Sequence, residues 1–293
     1  FDNDGVGKYI SSDFKDLRPK SAHFSQDKEG YWYYYDEYGQ PGVGAETIDG
    51  YDMYFHFGTR RQAKGEFVDV NGKVYYFDKD NGRKVKDTTF DINGKTYVAD
   101  QSGVLSIKSQ STERNRYISD SEGNWYYVNG KGDLLLGAQT IDNVKVYFDT
   151  KGVQYKGHFA PDHHYYDKDT GALVTDRLVK DGSKESYVDK EGKIYNGVKD
   201  LGGIQYYFRD GEKVKGDFDY SNSNLYYYDK ETGALVTGKY FEYKNNWYYA
   251  NSKGNILTGK QVIDGKHVYF YDEDYGQYKG IQAKDKLIIL GGK

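Results

Sequence analysis

Residues 73–85 read KVYYFDKDNGRKV. Five strand formers, Lys73-Val74-Tyr75-Tyr76-Phe77, run into Asp78-Lys79-Asp80-Asn81-Gly82, and Arg83-Lys84-Val85 follows. Aromatic and β-branched side chains suit a pleated, half-buried surface. An Asn-Gly step supplies the positive φ that a tight turn needs. The stretch therefore reads as strand, turn, strand.

Working outward, the same unit recurs along the chain. Paired β-formers stand at Tyr34-Tyr35, Tyr54-Phe55, Tyr76-Phe77, Tyr97-Val98, Tyr127-Val128 and Tyr147-Phe148. They continue at Tyr165-Tyr166, Tyr187-Val188, Tyr207-Phe208, Tyr227-Tyr228, Tyr248-Tyr249 and Tyr269-Phe270. Successive intervals are 20, 22, 21, 30, 20, 18, 22, 20, 20, 21 and 21 residues. The long one contains Ser109–Arg116, a polar insertion without strand pattern. Between the doublets, Asp49-Gly50, Asn71-Gly72, Asn81-Gly82, Asn93-Gly94, Asn129-Gly130 and Asp264-Gly265 are the expected turns. No stretch keeps a helical period.

One short hairpin cannot bury a face alone; stacked neighbours can. The expected fold is all-β, a β-solenoid of stacked hairpins each about 20 residues long, with contacts only between adjacent repeats. It should occupy residues 30–293. Residues 1–29 carry no doublet and read as a partial repeat, a cap or a linker. The chain opens at Phe1 without Met or a signal-like stretch, which reads as a fragment of something longer.

Composition agrees with a thin body. Only 37% of the 293 residues are hydrophobic, while Tyr occurs 34 times and Gly 36 times. Tyrosine is the main filling, and its hydroxyl must reach water or a partner, so most of the 34 are expected to pack the repeats. A net charge of −4 gives no electrostatic reason to bind nucleic acid or an anionic membrane. No apolar run approaches a membrane span, and without cysteine there are neither disulfides nor thiolate zinc sites.

A longer period overlies the short one. Residues 165–175, YYDKDTGALVT, and 227–237, YYDKETGALVT, match at ten of eleven positions. Four segments share a further pattern, clearest in Gly137-Ala138-Gln139-Thr140-Ile141-Asp142, Tyr147-Phe148 and Gln154-Tyr155-Lys156-Gly157. Trp32, Trp125 and Trp247 each lie 14 residues before Glu46, Gln139 and Gln261. At the fourth, weaker segment Glu185 stands at that offset from Lys199. These positions define a special face at hairpins 2, 6, 9 and 12, degenerate at hairpin 9. The alternative reading makes each Trp a filler of a wider hairpin and each Lys a solvated turn residue.

A sugar presents a flat C–H face and a rim of hydroxyls. Aromatic rings stack on the face; an amide donates and accepts at the rim, and an ammonium donates three ways. Gln139, Tyr147 and Lys156 beside Trp125 or Tyr126 form such a set. Shallow pockets along one chain would act together by avidity on a polymer of repeating sugars.

These residues resemble the glucan-binding repeats of glucansucrases, the secreted glucosyltransferases of lactic acid bacteria and oral streptococci. GAQTIDNVKVYFDTKGVQYKG, Gly137 to Gly157, carries the likeness, which covers roughly residues 30–290. Choline-binding modules and clostridial toxin repeats share the aromatic hairpin, but the long unit favours glucansucrases. The resemblance implies a secreted or cell-surface, monomeric, non-catalytic module. It would hold α-glucan or isomaltooligosaccharides and need no cofactor. It implicates Gln139, Tyr147 and Lys156, then Gln261, Tyr269 and Lys279 with Trp247 and Tyr248, and finally Glu46, Tyr54 and Lys64 with Trp32. Glu46 departs from Gln and keeps only acceptor oxygens when ionised, and Lys199 departs further.

Other chemistry finds little support. His23, His56, His158, His163, His164 and His267 share no metal-ligand spacing. Asp78-Lys79-Asp80-Asn81-Gly82 and Asp167-Lys168-Asp169-Thr170-Gly171 resemble the start of a calcium loop but lack its closing Glu, so a turn role is expected. No nucleophile elbow or phosphate loop appears. Against the glucan-binding module stand a wall-attachment module that recognises choline, for which few Trp are present, and a purely structural spacer.

Overall fold

The computed structural model describes residues 21–272 and 279–284. Every named element among them is a β-strand. The chain divides into two compact units, one of Phe1–Asp162 with Tyr166–Leu173, the other of His163–Tyr165 with Val174–Lys293.

The first unit holds six antiparallel strand pairs, here hairpins 1 to 6. They are His23–Gln26 with Trp32–Tyr35, Gly44–Ile48 with Tyr51–Phe55, and Glu66–Val70 with Lys73–Phe77. Then come Thr88–Ile92 with Lys95–Ala99, Arg116–Ser119 with Trp125–Val128, and Gly137–Ile141 with Val144–Phe148. Hairpins 8 to 12 form the second unit. They are Arg177–Asp181 with Lys184–Val188, Gly197–Leu201 with Ile204–Arg209, Asp217–Ser221 with Asn224–Tyr228, Lys239–Tyr243 with Asn246–Ala250, and Gly259–Ile263 with Lys266–Phe270. The seventh doublet, Tyr165-Tyr166, makes only isolated bridges, such as Tyr166 to Leu173. His23–Gln26 falls before residue 30 and is nonetheless the first strand of hairpin 1; residues 1–20 lie outside the described ones.

The opening stretch folds with one change from its reading. Lys73–Phe77 pairs with the strand before it, through Asn71-Gly72. Arg83-Lys84-Val85 contributes a single bridge, Phe77 to Lys84. Two turn chemistries recur. Many strand pairs close on two left-handed residues: Asp49 and Gly50 at φ 50° and 82°, Asn71 and Gly72 at 54° and 78°, with Asn93-Gly94 and Asp264-Gly265 alike. That is the turn whose twist suits flanking strands. Hairpins 1 and 5 close instead on Asp27 and Asp120, whose carboxylates accept backbone N–H groups. The turn after most pairs likewise uses a side chain. Asp78 accepts the backbone N–H of Asp80 and Asn81, and Asp167 does the same for Asp169 and Thr170. Asn129 belongs to this second kind: its side-chain oxygen accepts from Lys131 and Asp133, and the left-handed residue is Gly132, not Asn129 or Gly130.

Neighbouring strand residues point to opposite faces, yet in several doublets both members are buried. Tyr54 and Phe55, Tyr147 and Phe148, Tyr187 and Val188, and Tyr227 and Tyr228 are all under 9% exposed. Such hairpins are covered on both sides. Hairpins 4 and 11 close one residue later, on Ala99 and Ala250, so their aromatic doublets sit a step out of register.

A recurring backbone bond links a hairpin to the next at seven places among the described residues. The third segment after one hairpin donates to the second strand of the preceding hairpin. In the first unit these bonds run from Gln62 to Trp32, Lys84 to Asp52, Gln154 to Trp125 and Leu173 to Lys145. In the second they run from Leu235 to Gln205, Ile256 to Leu225 and Gln282 to Trp247. The acceptor always lies three residues before the residue that closes its strand pair.

The insertion breaks this pattern inside the first unit. Leu105–Lys108 and Asp133–Leu135 pair with each other, joining hairpins 4 and 5 into one six-stranded sheet. Hairpin 6 then docks on hairpin 3: Ala138 N–H donates to Gly72 O at 2.7 Å, and Tyr147 donates its hydroxyl proton to Asp69 at 2.6 Å. Contacts are therefore not confined to adjacent repeats. The six-stranded sheet fills the gap with Tyr97, Leu105, Ile107, Val128 and Leu136.

Candidate functional site

Three of the inter-hairpin bonds begin at a glutamine and end at a tryptophan. Gln62, Gln154 and Gln282 each donate their backbone N–H to Trp32, Trp125 and Trp247 at 2.7 Å. Two residues further on stand Lys64, Lys156 and Lys284. Their ammonium nitrogens lie 5.4, 5.4 and 4.8 Å from the indole centroids of Trp32, Trp125 and Trp247. That is cation–π range. The indoles stay accessible, Trp125 at 42% and Trp247 at 37%. The site is thus built by stacking two hairpins, not by any one segment.

At Trp32 the walls form a cleft of about 460 Å³, lined by Gly30, Tyr31, Trp32, His56, Arg61, Gln62, Lys64, Glu66 and Lys79. Arg61 lies over the Tyr31 ring at 4.1 Å, and His56 meets Glu66 at 2.9 Å. Buried Gln62 and Gln154 pack under the next turn, where a Cβ on Gly82 or Gly171 would collide with their amides. Lys156 is held from the other side by the Asp169 carbonyl oxygen at 3.2 Å.

The structure distributes the sequence-predicted residues unevenly. Trp32 with Lys64 and Trp125 with Lys156 come together. Trp247 meets Lys284, whereas Lys279 lies over Tyr220 at 5.2 Å. The equivalence of Lys279 with Lys156 is therefore corrected: Phe270 bridges Gln282 as Phe148 bridges Gln154, so Gln282-Ala283-Lys284 is the counterpart of Gln62-Ala63-Lys64. Gly276-Gln277-Tyr278 lie outside the described residues. Gln139 and Gln261 curl back, each donating an amide N–H to a carbonyl three residues earlier, Leu136 and Thr258, at 2.6 Å. Glu46 makes the mirror contact, accepting the Val43 N–H at 2.6 Å.

Tyr147 is 1% exposed, its ring packed on Tyr155, Ala160 and Tyr166; burial first, and then Asp69, push its phenol far above the usual range. Tyr54 and Tyr248 are also buried, and Tyr269 is half-buried with its hydroxyl on Asp272. Tyr126 is half-buried; burial and its bond to Asp120 raise its phenol to about 12. Gln62, Gln154, Gln282 and Lys284 were missed as site residues. The repeated Gln-x-Lys step was the available signal.

Two other inter-hairpin positions carry a different trio. Asp52 replaces Trp, and its carboxylate binds Lys84 at 2.9 Å and Lys86 at 2.8 Å. Glu185 does the same with Lys213 and Lys215. Lys86 and then Lys84 hold the Asp52 carboxyl well below the ordinary range, and chiefly Lys213 lowers that of Glu185. Hairpin 9 therefore has an ion-paired trio where the sequence offset of Glu185 pointed to a lost Trp. Lys199 sits over Tyr187 at 4.5 Å, and that hydroxyl raises its ammonium. Among the described residues no three His, Cys, Asp or Glu converge on a metal position.

The choline-binding repeat family matches residues 43–90 and 135–178. Glucosyltransferase-S of Streptococcus mutans is 34% identical over 223 residues, 74% of this chain. The chain is a choline-binding-like repeat domain related to glucosyltransferases. Glucosyltransferase-I of Streptococcus downei is 32% identical to the repeat domain over 289 residues, 92% of the chain. The repeat domain spans 13% and 16% of the lengths of these two relatives. Among solved structures, CbpJ from Streptococcus pneumoniae is 23% identical, with TM-score 0.42, covering 89% of this chain and 100% of that one. No helix among the described residues is long and apolar enough to cross a membrane.

Proposed function

We propose that the repeat domain is a non-catalytic module that holds α-glucan outside the cell, at the Trp32, Trp125 and Trp247 sites acting together. The observation that carries this reading is the threefold recurrence of an accessible indole clamped to a glutamine backbone with a lysine beside it. An indole face suits the C–H face of a pyranose, and an ammonium donates to its hydroxyls. Relationship to glucosyltransferases, of which the chain matches a small part, supports glucan as the polymer. Several weak sites on one chain gain by avidity. Within each unit, hairpins covered on both faces and linked by the recurring bond support a β-solenoid arrangement.

A second reading, attachment to choline-bearing cell wall, is favoured by the choline-binding repeat match alone. Affinity electrophoresis in gels with and without dextran tests the first. Retardation by dextran that falls in a Trp125→Ala/Trp247→Ala variant supports it. Unchanged mobility of the wild type across α-glucans overturns it.

A further inference from the structure

Exposed aromatic rings are the natural seats for a ligand cation, because a quaternary ammonium binds over an electron-rich face. In this chain those seats are taken from within. Tyr31, Tyr38, Tyr51, Phe57, Trp125, Tyr220 and Trp247 are the exposed large aromatics among the described residues. Five of these seven carry one of the protein's own cations: Arg61 on Tyr31, Arg83 on Tyr51, Lys156 on Trp125, Lys279 on Tyr220 and Lys284 on Trp247. Half-buried Trp32 carries Lys64.

At the three Trp sites the cation is fixed by the fold. Its lysine lies two residues from the glutamine whose backbone is bonded to the same Trp. A ligand ammonium on that indole would share the face with a like charge about 5 Å away. At a protein surface such repulsion weakens binding by roughly tenfold or more. A neutral sugar meets no such charge, and can accept a hydrogen bond from the ammonium.

We infer that Lys64, Lys156 and Lys284 are specificity-determining residues: they bar quaternary ammonium ligands such as choline from the Trp sites and leave those sites to neutral saccharide. The saccharide half of this rests on the function proposed above; the exclusion of choline does not.

All three tryptophans of the chain lie at these sites, so their fluorescence reports the sites directly. The full chain is titrated with choline chloride against sodium chloride at equal ionic strength. The wild type is expected to show no choline-specific change. A Lys64→Met/Lys156→Met/Lys284→Met variant is expected to respond, with affinity at least about tenfold higher. A wild type that responds as strongly as the variant overturns the inference, and so does a folded variant that stays silent. Lys→Gln versions, which also remove the charge, serve if the Met variant loses its near-ultraviolet dichroism. Dextran retardation of the wild type is read separately. Its failure overturns glucan binding and leaves the choline result standing.

Discussion

The Gln154 backbone N–H and the Trp125 carbonyl oxygen meet at 2.7 Å, joining the segment after hairpin 6 to hairpin 5. That bond sets the position from which Lys156 reaches the Trp125 ring. A candidate site made this way separates from the core, since its indole is accessible while the clamp beneath it is backbone.

Trp125→Ala should therefore weaken glucan retention and spare the fold. Removing one of several linked sites is expected to lower retention by about tenfold or more. A partly exposed side chain outside the core should cost about 1 kcal/mol or less. Dextran electrophoresis and thermal unfolding, run side by side, check both halves.

Tyr147 should behave in the opposite way. Tyr147→Ala is expected to cost about 3–5 kcal/mol, because the ring is fully buried against Tyr155, Ala160 and Tyr166. Tyr147→Phe should cost about 1–3 kcal/mol, through the carboxylate of Asp69 losing its donor. Urea unfolding followed by circular dichroism gives both values, and any fall in retention should track the unfolded fraction.

Acid should dissolve the two ion-paired trios. Asp52 and Glu185 titrate below their ordinary values in the folded chain, while unfolded carboxylates titrate near 4. Their contribution is complete above about pH 4 and is lost as pH falls through the depressed folded values. An Asp52→Asn/Glu185→Gln variant should melt lower than wild type at neutral pH, with each partly exposed network contributing on the order of 1 kcal/mol. The gap should begin to narrow as pH falls to about 4 and close only where the folded carboxylates protonate; melting temperature against pH shows it.

Hairpin 9 should be convertible. Glu185→Trp with Lys213→Gln places the Trp and Gln types at the position equivalent to Trp125 and Gln154, with Lys215 already two residues on. The double variant is expected to be retarded by dextran more than wild type. Glu185→Trp alone leaves Lys213 buried without its carboxylate and should cost about 3 kcal/mol, read by urea unfolding.

Gly137→Ala should be far more damaging than Gly94→Ala. Both glycines have positive φ, but a Cβ on Gly137 would strike the Gly72 carbonyl oxygen, whereas at Gly94 nothing lies within 4 Å. About 1 kcal/mol of backbone strain is expected at Gly94, and several-fold more at Gly137. Urea midpoints of the two variants give the comparison.

The doublets and the Asx-Gly turns made most of the hairpins legible, because both are local: a turn type and an alternating strand need only neighbouring residues. Trp32, Trp125 and Trp247 were legible as a recurring face for the same reason. What the sequence hid was the partner of each Trp. Gln277-Tyr278-Lys279-Gly280 copies Gln154-Tyr155-Lys156-Gly157 letter for letter, yet the bridge from Phe270 falls on Gln282, which makes Gln282-Ala283-Lys284 the structural counterpart. Register across stacked hairpins is decided by backbone pairing, which local likeness does not report. The partner of the Tyr147 hydroxyl was equally hidden. It is Asp69, 78 residues away, reached because the insertion returns the chain to hairpin 3.

That return has a mechanical consequence. Tension applied across the first unit would reach hairpin 6 from hairpin 3 through the Asp69–Tyr147 and Gly72–Ala138 bonds. Hairpins 4 and 5 lie on the bypassed stretch of chain and would stay slack until those bonds fail. Once they gave way, the stretch between residues 72 and 138 would be released as stored length. A domain tethering a polymer would then yield in one long step there, and in short single-hairpin steps elsewhere.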